Sequence, residues 1–241
     1  MMGKPLKSIL FVMAVMVTTI ANTQTNVAQN LNGKQQAIVR ISVFTGNGEL
    51  DKLKTELNAG LEVGLTVNQI KEVIVHVYAY AGFPRSIRGL QTFMEVLDER
   101  KAGGINDDPG PEASPIVDER NKYDRGVETL YELTGGEWAN PRSGYGAFSP
   151  EIDRFLKEHL FTDIFERDVL SYVERELVTV SVISSIGGVE PMLRSHLNIC
   201  LNVGLTVGQL QQFVGIIQST VGRKEAKIAQ KVLDEVLKNK K

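Results

Sequence analysis

The chain has 241 residues, with 27 basic and 29 acidic side chains and a formal net charge of −2. Hydrophobic residues make up 42% and charged residues 23%, which is ordinary for a globular protein that buries its own core. The balanced charge argues against a nucleic-acid partner. The single cysteine, Cys200, excludes an intramolecular disulfide, a zinc knuckle and a CxxC redox pair.

The start of the chain has the pattern of a secretory signal. Lys4 and Lys7 form a basic beginning, an apolar run follows over residues 9–21, and a polar stretch begins at Asn22. The run is shorter than the ~20 residues that a membrane span needs. We therefore predict a signal peptide at residues 1–24, export to the periplasm or the exterior, and no stable membrane span after cleavage. The alternative is an uncleaved anchor.

Two segments of the chain resemble each other at an offset of 140 residues. When residues 41–82 are aligned with residues 181–222, 12 of the 42 positions are identical, and VGLTVxQ is the densest block. After Gly82 the copies slip by four residues, and VLDE recurs at 96–99 and 232–235. This degree of identity indicates an internal repeat.

The repeated block predicts a helix, a tight turn and a second helix in each copy. Gly64 and Gly204 suit the left-handed position that follows a helix. Thr66 and Gln69 have the spacing of a capping box, which the second copy repeats. No alternating strand pattern of useful length appears, so the predicted fold class is all-α, built from two helical repeats.

The stretch between the copies, KAGGINDDPGPEASPIV, is rich in glycine, proline and acidic residues and predicts a linker at residues 101–117. We therefore expect a first, partial helical repeat at residues 31–100 and a second, more complete one at residues 118–241. Within the second repeat, residues 118–134 and 150–172 are predicted to be helical and to be separated by a loop.

Several motifs resemble the carboxymuconolactone decarboxylase family and occur in the order of that family. YDRGVETLYELTGG resembles its opening helix, FLKEHLFTDIFERDVLSYVERELVTV its central stretch, and HLNICLNVGLT its "H....l..G.t" turn. The first copy, in GLTVNQIKEVIVHVYAYAGFPRSI, resembles the last part of the family better. The resemblance covers most of the mature chain. It implies small-molecule chemistry in a helical homo-oligomer, with sites near repeat or subunit interfaces.

A related branch, the alkylhydroperoxidase-like proteins, uses CxxC followed by a histidine. When that histidine is aligned with His196, the two cysteine positions hold Val189 and Met192, and Cys200 has no partner thiol. A disulfide relay needs an attacking and a resolving thiol. Redox activity is therefore disfavoured and stays a minor alternative.

The helix predicted at Val67–Ala81 carries Glu72, His76 and Tyr80 at positions i, i+4 and i+8 along one flank. The surrounding helix is apolar on every side, which predicts burial on more than one face. A positioned histidine is the commonest acid or base near neutral pH, so His76 is the candidate proton carrier, with Glu72 to orient it. The alternative is a core histidine bonded to a neighbour.

The two copies carry complementary sets of polar residues, and neither copy has both sets. We therefore predict one composite site to which each repeat contributes half, the alternative being an inactive site in both. The Arg85 guanidinium could receive a carboxylate of the substrate. The predicted catalytic residues are His76, Glu72, His196 and Glu176, and the predicted substrate-binding residues are Tyr80, Arg85 and Arg175.

These residues predict metal-free acid–base chemistry, a decarboxylation or a lactone or keto–enol rearrangement, on a small organic acid. The sequence has neither a glycine-rich phosphate loop nor a metal-spaced ligand set, so no cofactor and no metal are expected. The main alternative is a non-catalytic exported helical scaffold or binding module. The export signal favours it mildly, because the aromatic catabolism known for the family is cytoplasmic.

Overall fold

The computed structural model describes residues 30–136 and 144–240, and helices are the only regular structure in these two ranges. The all-α prediction is therefore confirmed. The predicted signal peptide and the middle of the predicted loop before Pro150 lie outside the described residues. No helix in the described part of the chain is long and apolar enough to cross a membrane.

In residues 30–102 the described chain forms three helices, α1 (Gly33–Asn47), α2 (Leu50–Glu62) and α3 (Val67–Ala102). The turn between α2 and α3 follows the prediction from the repeated block. Gly64 has a φ of +89°, and Thr66 and Gln69 form a capping box at the start of α3. The chain is therefore reversed within four residues, and the capping box satisfies the Thr66 and Gln69 N–H groups locally.

Helix α3 is longer than the predicted helix at Val67–Ala81, because it continues through a kink to Ala102. At the kink Gly82 has a φ of 81° and a ψ of 164°, a conformation essentially limited to glycine. Pro84 follows, and Ser86 Oγ donates a hydrogen bond of 2.7 Å to the Ile74 carbonyl across the bend. The kink separates the segment that carries Glu72, His76 and Tyr80 from a second segment that carries Arg85.

The predicted linker is fastened to the helices beside it. Its first two residues, 101–102, belong to α3. Further along the linker, Asp107 pairs with Arg100 at 2.8 Å, and the Pro109 carbonyl accepts from the Asn68 backbone N–H at 2.9 Å. The linker thus supplies acceptors to the first turn of α3, where N–H groups lack intrahelical partners.

Among the described residues, the second half contains more helices than the first. It begins with α4 (Lys122–Leu133), α5 (Gly144–Phe148), α6 (Pro150–Phe155) and a π-helical segment (Leu156–Ile164). Four helices complete it, α7 (Tyr172–Ile186), α8 (Glu190–Asn202), α9 (Val207–Thr220) and α10 (Arg223–Asn239). These four follow the order of α1, α2 and the two segments of α3, with Gly204 at a φ of +106° before a second Thr–Gln capping box.

The two halves share one hydrophobic core, in which α1 and α7 lie against each other and bury most of their residues. Helix α3 packs against α7, and its counterpart α9 packs against α1. Because α7 is the counterpart of α1 and α9 is the counterpart of α3, these two contacts are equivalent. A smaller cluster joins α4 to the π-helical segment. It packs against Tyr78, Ala79 and Tyr80, just before the kink in α3.

Candidate active site

The contact between α3 and α7 buries polar side chains from both halves of the molecule. Glu72 is 3% exposed, and His76, Arg175 and Glu176 are 0% exposed. Tyr80 lies on the same flank of α3 and is half-buried. Buried groups of this kind destabilise a protein unless they are paired, so their hydrogen bonds determine what each of them can do.

Arg175 is at the centre of the buried network. Its Nη2 lies 2.9 Å from Glu72 Oε1 and also donates to the Arg167 carbonyl, while its Nη1 lies 3.2 Å from His76 Nδ1. The Arg167 Nε donates to both Glu72 carboxylate oxygens, at 2.9 and 3.0 Å. Burial lowers the pKa of Arg175, and the bond to Glu72 opposes that shift. Glu72 is thus the counter-charge of two guanidinium groups.

These contacts correct two predictions from the sequence. Glu72 bonds to the two arginines and not to the His76 ring that it was expected to orient. Arg175, expected to bind substrate, is wholly enclosed in the network. Glu72 and His76 are neighbours by helical spacing on α3. The long Arg175 side chain enters from α7 and lies between them, so each bonds to Arg175.

His76 has a partner at each ring nitrogen. Because a guanidinium group can only donate, Nδ1 accepts from Arg175, and the neutral ring carries its hydrogen on Nε2. Nε2 lies 3.0 Å from Thr179 Oγ1. Burial, followed by the charges of Arg175 and His196, holds the pKa of His76 well below its ordinary value. This geometry fits a neutral hydrogen-bond donor better than the proton carrier that the sequence suggests.

Thr179 links His76 to Tyr80. The Thr179 hydroxyl oxygen lies 3.0 Å from the Tyr80 phenol oxygen and 3.0 Å from the Arg175 carbonyl oxygen. The His76 and Tyr80 rings also stack, with 5.5 Å between their centroids. Burial and the Glu176 carboxylate raise the pKa of Tyr80, so its phenol keeps its proton at neutral pH.

His196 on α8 and Glu176 on α7 form the second predicted acid–base pair. His196 Nδ1 lies 2.9 Å from Glu176 Oε2. The second carboxylate oxygen of Glu176 and Nε2 of His196 have no hydrogen-bond partner among the residues that the structure describes. A carboxylate at Nδ1 orients the ring and selects its tautomer, which leaves Nε2 able to exchange a proton.

Tyr80 and His196 line one cavity of about 930 Å³. Their ring centroids lie 6.1 Å apart and the rings meet edge to face. This volume suits a small organic molecule. The walls are largely apolar, with a few polar groups, and they include Leu156, Leu160, Phe161, Ile183, Ile199, Ser195, Asn198 and Asn202. His76 and Arg175 are not part of the lining.

The structure does not bring Arg85 to this site. Arg85 lies beyond the kink in α3, is exposed, and places its guanidinium against Gly48 at the end of α1. The kink turns the second segment of α3 away from the cavity, which helical spacing could not indicate. His159 is bonded to Tyr78 at 2.5 Å and to Asp163 at 3.0 Å and does not line the cavity.

The described lining of the cavity contains no cysteine. Val189 and Met192 line it beside His196, at the positions that cysteines would occupy in the redox branch. Cys200 is buried and free. Burial and the Glu176 carboxylate raise the pKa of its thiol well above the ordinary value. Among the described residues, no group of three or more His, Cys, Asp or Glu side chains is arranged to hold a metal ion.

Residues 150–235 match the profile of the "Carboxymuconolactone decarboxylase family". The chain is 25% identical over 124 residues to the 4-carboxymuconolactone decarboxylase of Acinetobacter baylyi, a match that covers 51% of this chain and 92% of the relative. It is 30% identical over 83 residues to an uncharacterized protein of Methanocaldococcus jannaschii, covering 34% of this chain and 78% of that protein. The profile match includes α7 and α8, which carry Glu176 and His196. Over residues 150–235 the chain therefore belongs to the carboxymuconolactone decarboxylase family.

Proposed function

We propose that the protein is a decarboxylase-like acid–base enzyme that decarboxylates or rearranges a small organic acid in the cavity. The observation that carries the proposal is the His196–Glu176 pair. His196 lines the cavity, its Nδ1 is held 2.9 Å from a buried carboxylate, and its Nε2 is left for a substrate. The name of the Acinetobacter relative supports decarboxylation as the class of reaction.

The reaction needs an electron sink and a proton. A lactone or enone acid supplies the sink itself, because the electron pair left by CO₂ can move into its conjugated carbonyl group. The proton that reaches the carbon would come from Nε2 of a protonated His196, while Glu176 stabilises the charged ring. The same histidine can remove and return a proton in a keto–enol rearrangement, so both reaction types depend on one residue.

The apolar walls favour loss of CO₂ over retention of the acid. Leu156, Phe161 and Ile183 would replace water around a bound carboxylate. A carboxylate is destabilised by such surroundings, whereas neutral CO₂ is not. The cavity thus raises the free energy of the charged group that the reaction removes.

The test is release of CO₂ from 4-carboxymuconolactone and then from a panel of small lactone acids and β-keto acids. We expect His196→Asn to lower kcat/KM by about 10²–10⁴-fold, because it removes the acid–base group. His159→Asn is the matched control, since His159 is exposed and does not line the cavity. Unchanged turnover in His196→Asn would contradict the proposed role. No turnover across the panel would favour the non-catalytic scaffold.

We further propose that the mature protein is exported and works as a homo-oligomer. The support is the signal-like beginning of the sequence and the family resemblance. Mass spectrometry of the exported protein should find an N-terminus at about residues 22–26. Light scattering of that protein should give a mass of at least twice the mature chain. An intact Met1 in the soluble cytosol, or a monomeric mass, would contradict the respective proposal.

A further inference from the structure

We propose that Tyr80 is the hydrogen-bond donor for the substrate oxygen that becomes an enolate, and that His76, Thr179 and Arg175 are positioning residues for its hydroxyl group. The identity of the substrate rests on the proposed function. The recognition of an oxyanion by Tyr80 is a separate claim, which can be tested without turnover.

Arg175, His76, Thr179 and Tyr80 form a series of hydrogen bonds, and the direction of donation is fixed at its buried end, at Arg175. Arg175 can only donate, so His76 Nδ1 accepts at 3.2 Å and the ring hydrogen lies on Nε2. That hydrogen is directed at Thr179 Oγ1, 3.0 Å away. Because His76 is wholly enclosed, no solvent molecule competes for either contact. Thr179 therefore always accepts from His76.

The hydroxyl groups of Thr179 and Tyr80 can be oriented in two ways that give every donor and acceptor a partner. Thr179 has one hydrogen and two acceptors at 3.0 Å, the Arg175 carbonyl and the Tyr80 oxygen. Without a ligand, Thr179 can donate to the carbonyl while Tyr80 donates to Thr179. When a ligand oxygen enters the cavity, Tyr80 can donate to it, and Thr179 can donate to Tyr80. The Arg175 carbonyl still accepts its helical N–H, so the rearrangement leaves no group without a partner.

This series of hydrogen bonds can stabilise a substrate oxygen on which negative charge develops. When the C–CO₂ bond breaks, the electron pair moves through the conjugated system to the carbonyl oxygen. Tyr80 keeps its proton and donates to that oxygen, supported in series by Thr179 and His76. His196 then gives its Nε2 proton to carbon, and the carbonyl is restored. One carboxylate and one proton thus become the product and CO₂, and His196 is left neutral.

Two observations support this division of roles. The Tyr80 and His196 rings have centroids 6.1 Å apart on the wall of one cavity, so a small substrate can touch both. Burial and the Glu176 carboxylate also raise the pKa of Tyr80, which keeps the phenol as a donor and disfavours a tyrosinate. Proton transfer to carbon is accordingly left to His196.

The experiment uses 4-nitrophenol as an oxyanion probe, since its absorbance distinguishes phenol from phenolate. We expect the wild-type protein to bind the phenolate and to keep the bound probe ionised at a lower pH than the free probe. Tyr80→Phe should weaken phenolate binding about 10–100-fold, the effect of losing one hydrogen bond to a charged group. Binding of 4-nitroanisole, which has no ionisable oxygen, should be unchanged.

Two further variants separate positioning from folding. Thr179→Val should weaken phenolate binding, and Thr179→Ser, which restores the hydroxyl, should recover it. Tyr78→Phe is the matched control, because Tyr78 lies on the same helix but bonds to His159 and does not line the cavity. Equal phenolate binding by wild type and Tyr80→Phe, or no binding by wild type, would overturn the inference.

The two proposals fail in different ways. If Tyr80→Phe loses phenolate binding and no acid releases CO₂, the proposed reaction is wrong and the oxyanion site stands. If acids release CO₂ in a His196-dependent manner and Tyr80→Phe binds phenolate normally, the reaction stands and the role of Tyr80 is wrong.

Discussion

Glu72 is the residue on which the buried charges depend. Its enclosed carboxylate contacts Arg175, which is wholly buried, and Arg167, which is partly exposed. Glu72→Ala would leave the Arg175 charge without its counter-charge. We expect the free energy of unfolding, measured by denaturant titration, to fall by about 3–5 kcal/mol.

Glu99→Ala is the control for this prediction. Glu99 lies on the same helix, but its partner Lys54 is exposed, and solvent screens the pair. This variant should melt close to the wild-type temperature. If both variants lost equally little free energy of unfolding, Glu72 would not be the group that neutralises Arg175.

His76 gives the folded protein a dependence on pH. Its pKa in the folded protein lies well below the ordinary value of 6.5. As the pH falls below about 6.5, the unfolded chain therefore binds a proton that the folded chain does not. This contribution is fully present above that pH and is lost on acidification, by at most ~1.4 kcal/mol per pH unit.

The measurement compares wild type with His76→Gln, which cannot titrate there. The difference between their free energies of unfolding should be constant above about pH 7.5 and should change steadily between about pH 6.5 and 5. A difference that stays constant over the whole range would show that His76 titrates alike in the folded and unfolded protein.

The sequence indicated most residues of the site but not their partners. Spacing on α3 predicted that Glu72, His76 and Tyr80 share a flank, and the structure places them there. Thr179 is an ordinary residue of an apolar helix until α3 packs against it. Arg167 follows the π-helical segment and belongs to no periodic pattern. Their roles come from contacts between helices, which one helix's spacing does not encode.

At the scale of elements, the kink in α3 depends on Gly82. Its φ of 81° with ψ of 164° is strained for any residue with a Cβ. Gly82→Ala should therefore lower the free energy of unfolding by about 1–3 kcal/mol. Calorimetry or denaturant titration would measure the loss. The same substitution should also disturb the cavity, because Tyr80 lies two residues before the kink.

Gly215→Ala is the matched control for the kink. Gly215 lies within α9, and a Cβ built there would meet nothing within 4 Å. Alanine should stabilise this helix by about 0.4–1 kcal/mol. If the two alanine variants changed stability in the same direction, the conformation of Gly82 would not be what holds the kink.

Elements were predictable where the signal is local. The turn before α3 follows from glycine and capping chemistry, and both capping boxes are present. The predicted helix over residues 150–172 instead divides into α6 and a π-helical segment that ends at Ile164. A buried Lys157–Asp153 pair, 2.7 Å apart, lies at that transition. Residue spacing along the helix does not indicate the π geometry.

At the scale of the whole molecule, two equivalent helix contacts exist, and one of them holds the buried polar network. The α3–α7 contact holds His76, whereas its counterpart between α9 and α1 has Ile216 in that place. There the Leu31 backbone N–H donates to Gln212 Oε1 at 2.7 Å, and its carbonyl accepts from Gln36 at 2.9 Å. The complementary residue sets in the sequence predicted this asymmetry. They did not predict that Leu31 bonds at the α9–α1 contact.

The central claim is that Tyr80 from the first half and His196 from the second act on one substrate. A double-mutant cycle on kcat/KM for CO₂ release, with Tyr80→Phe, His196→Asn and the double variant, tests it most directly. We predict that each single change lowers kcat/KM at least about tenfold and that the double variant loses less than the product of the two, a coupling above about 0.5 kcal/mol. Losses that simply multiply, or a Tyr80→Phe variant as active as wild type, would contradict the composite site.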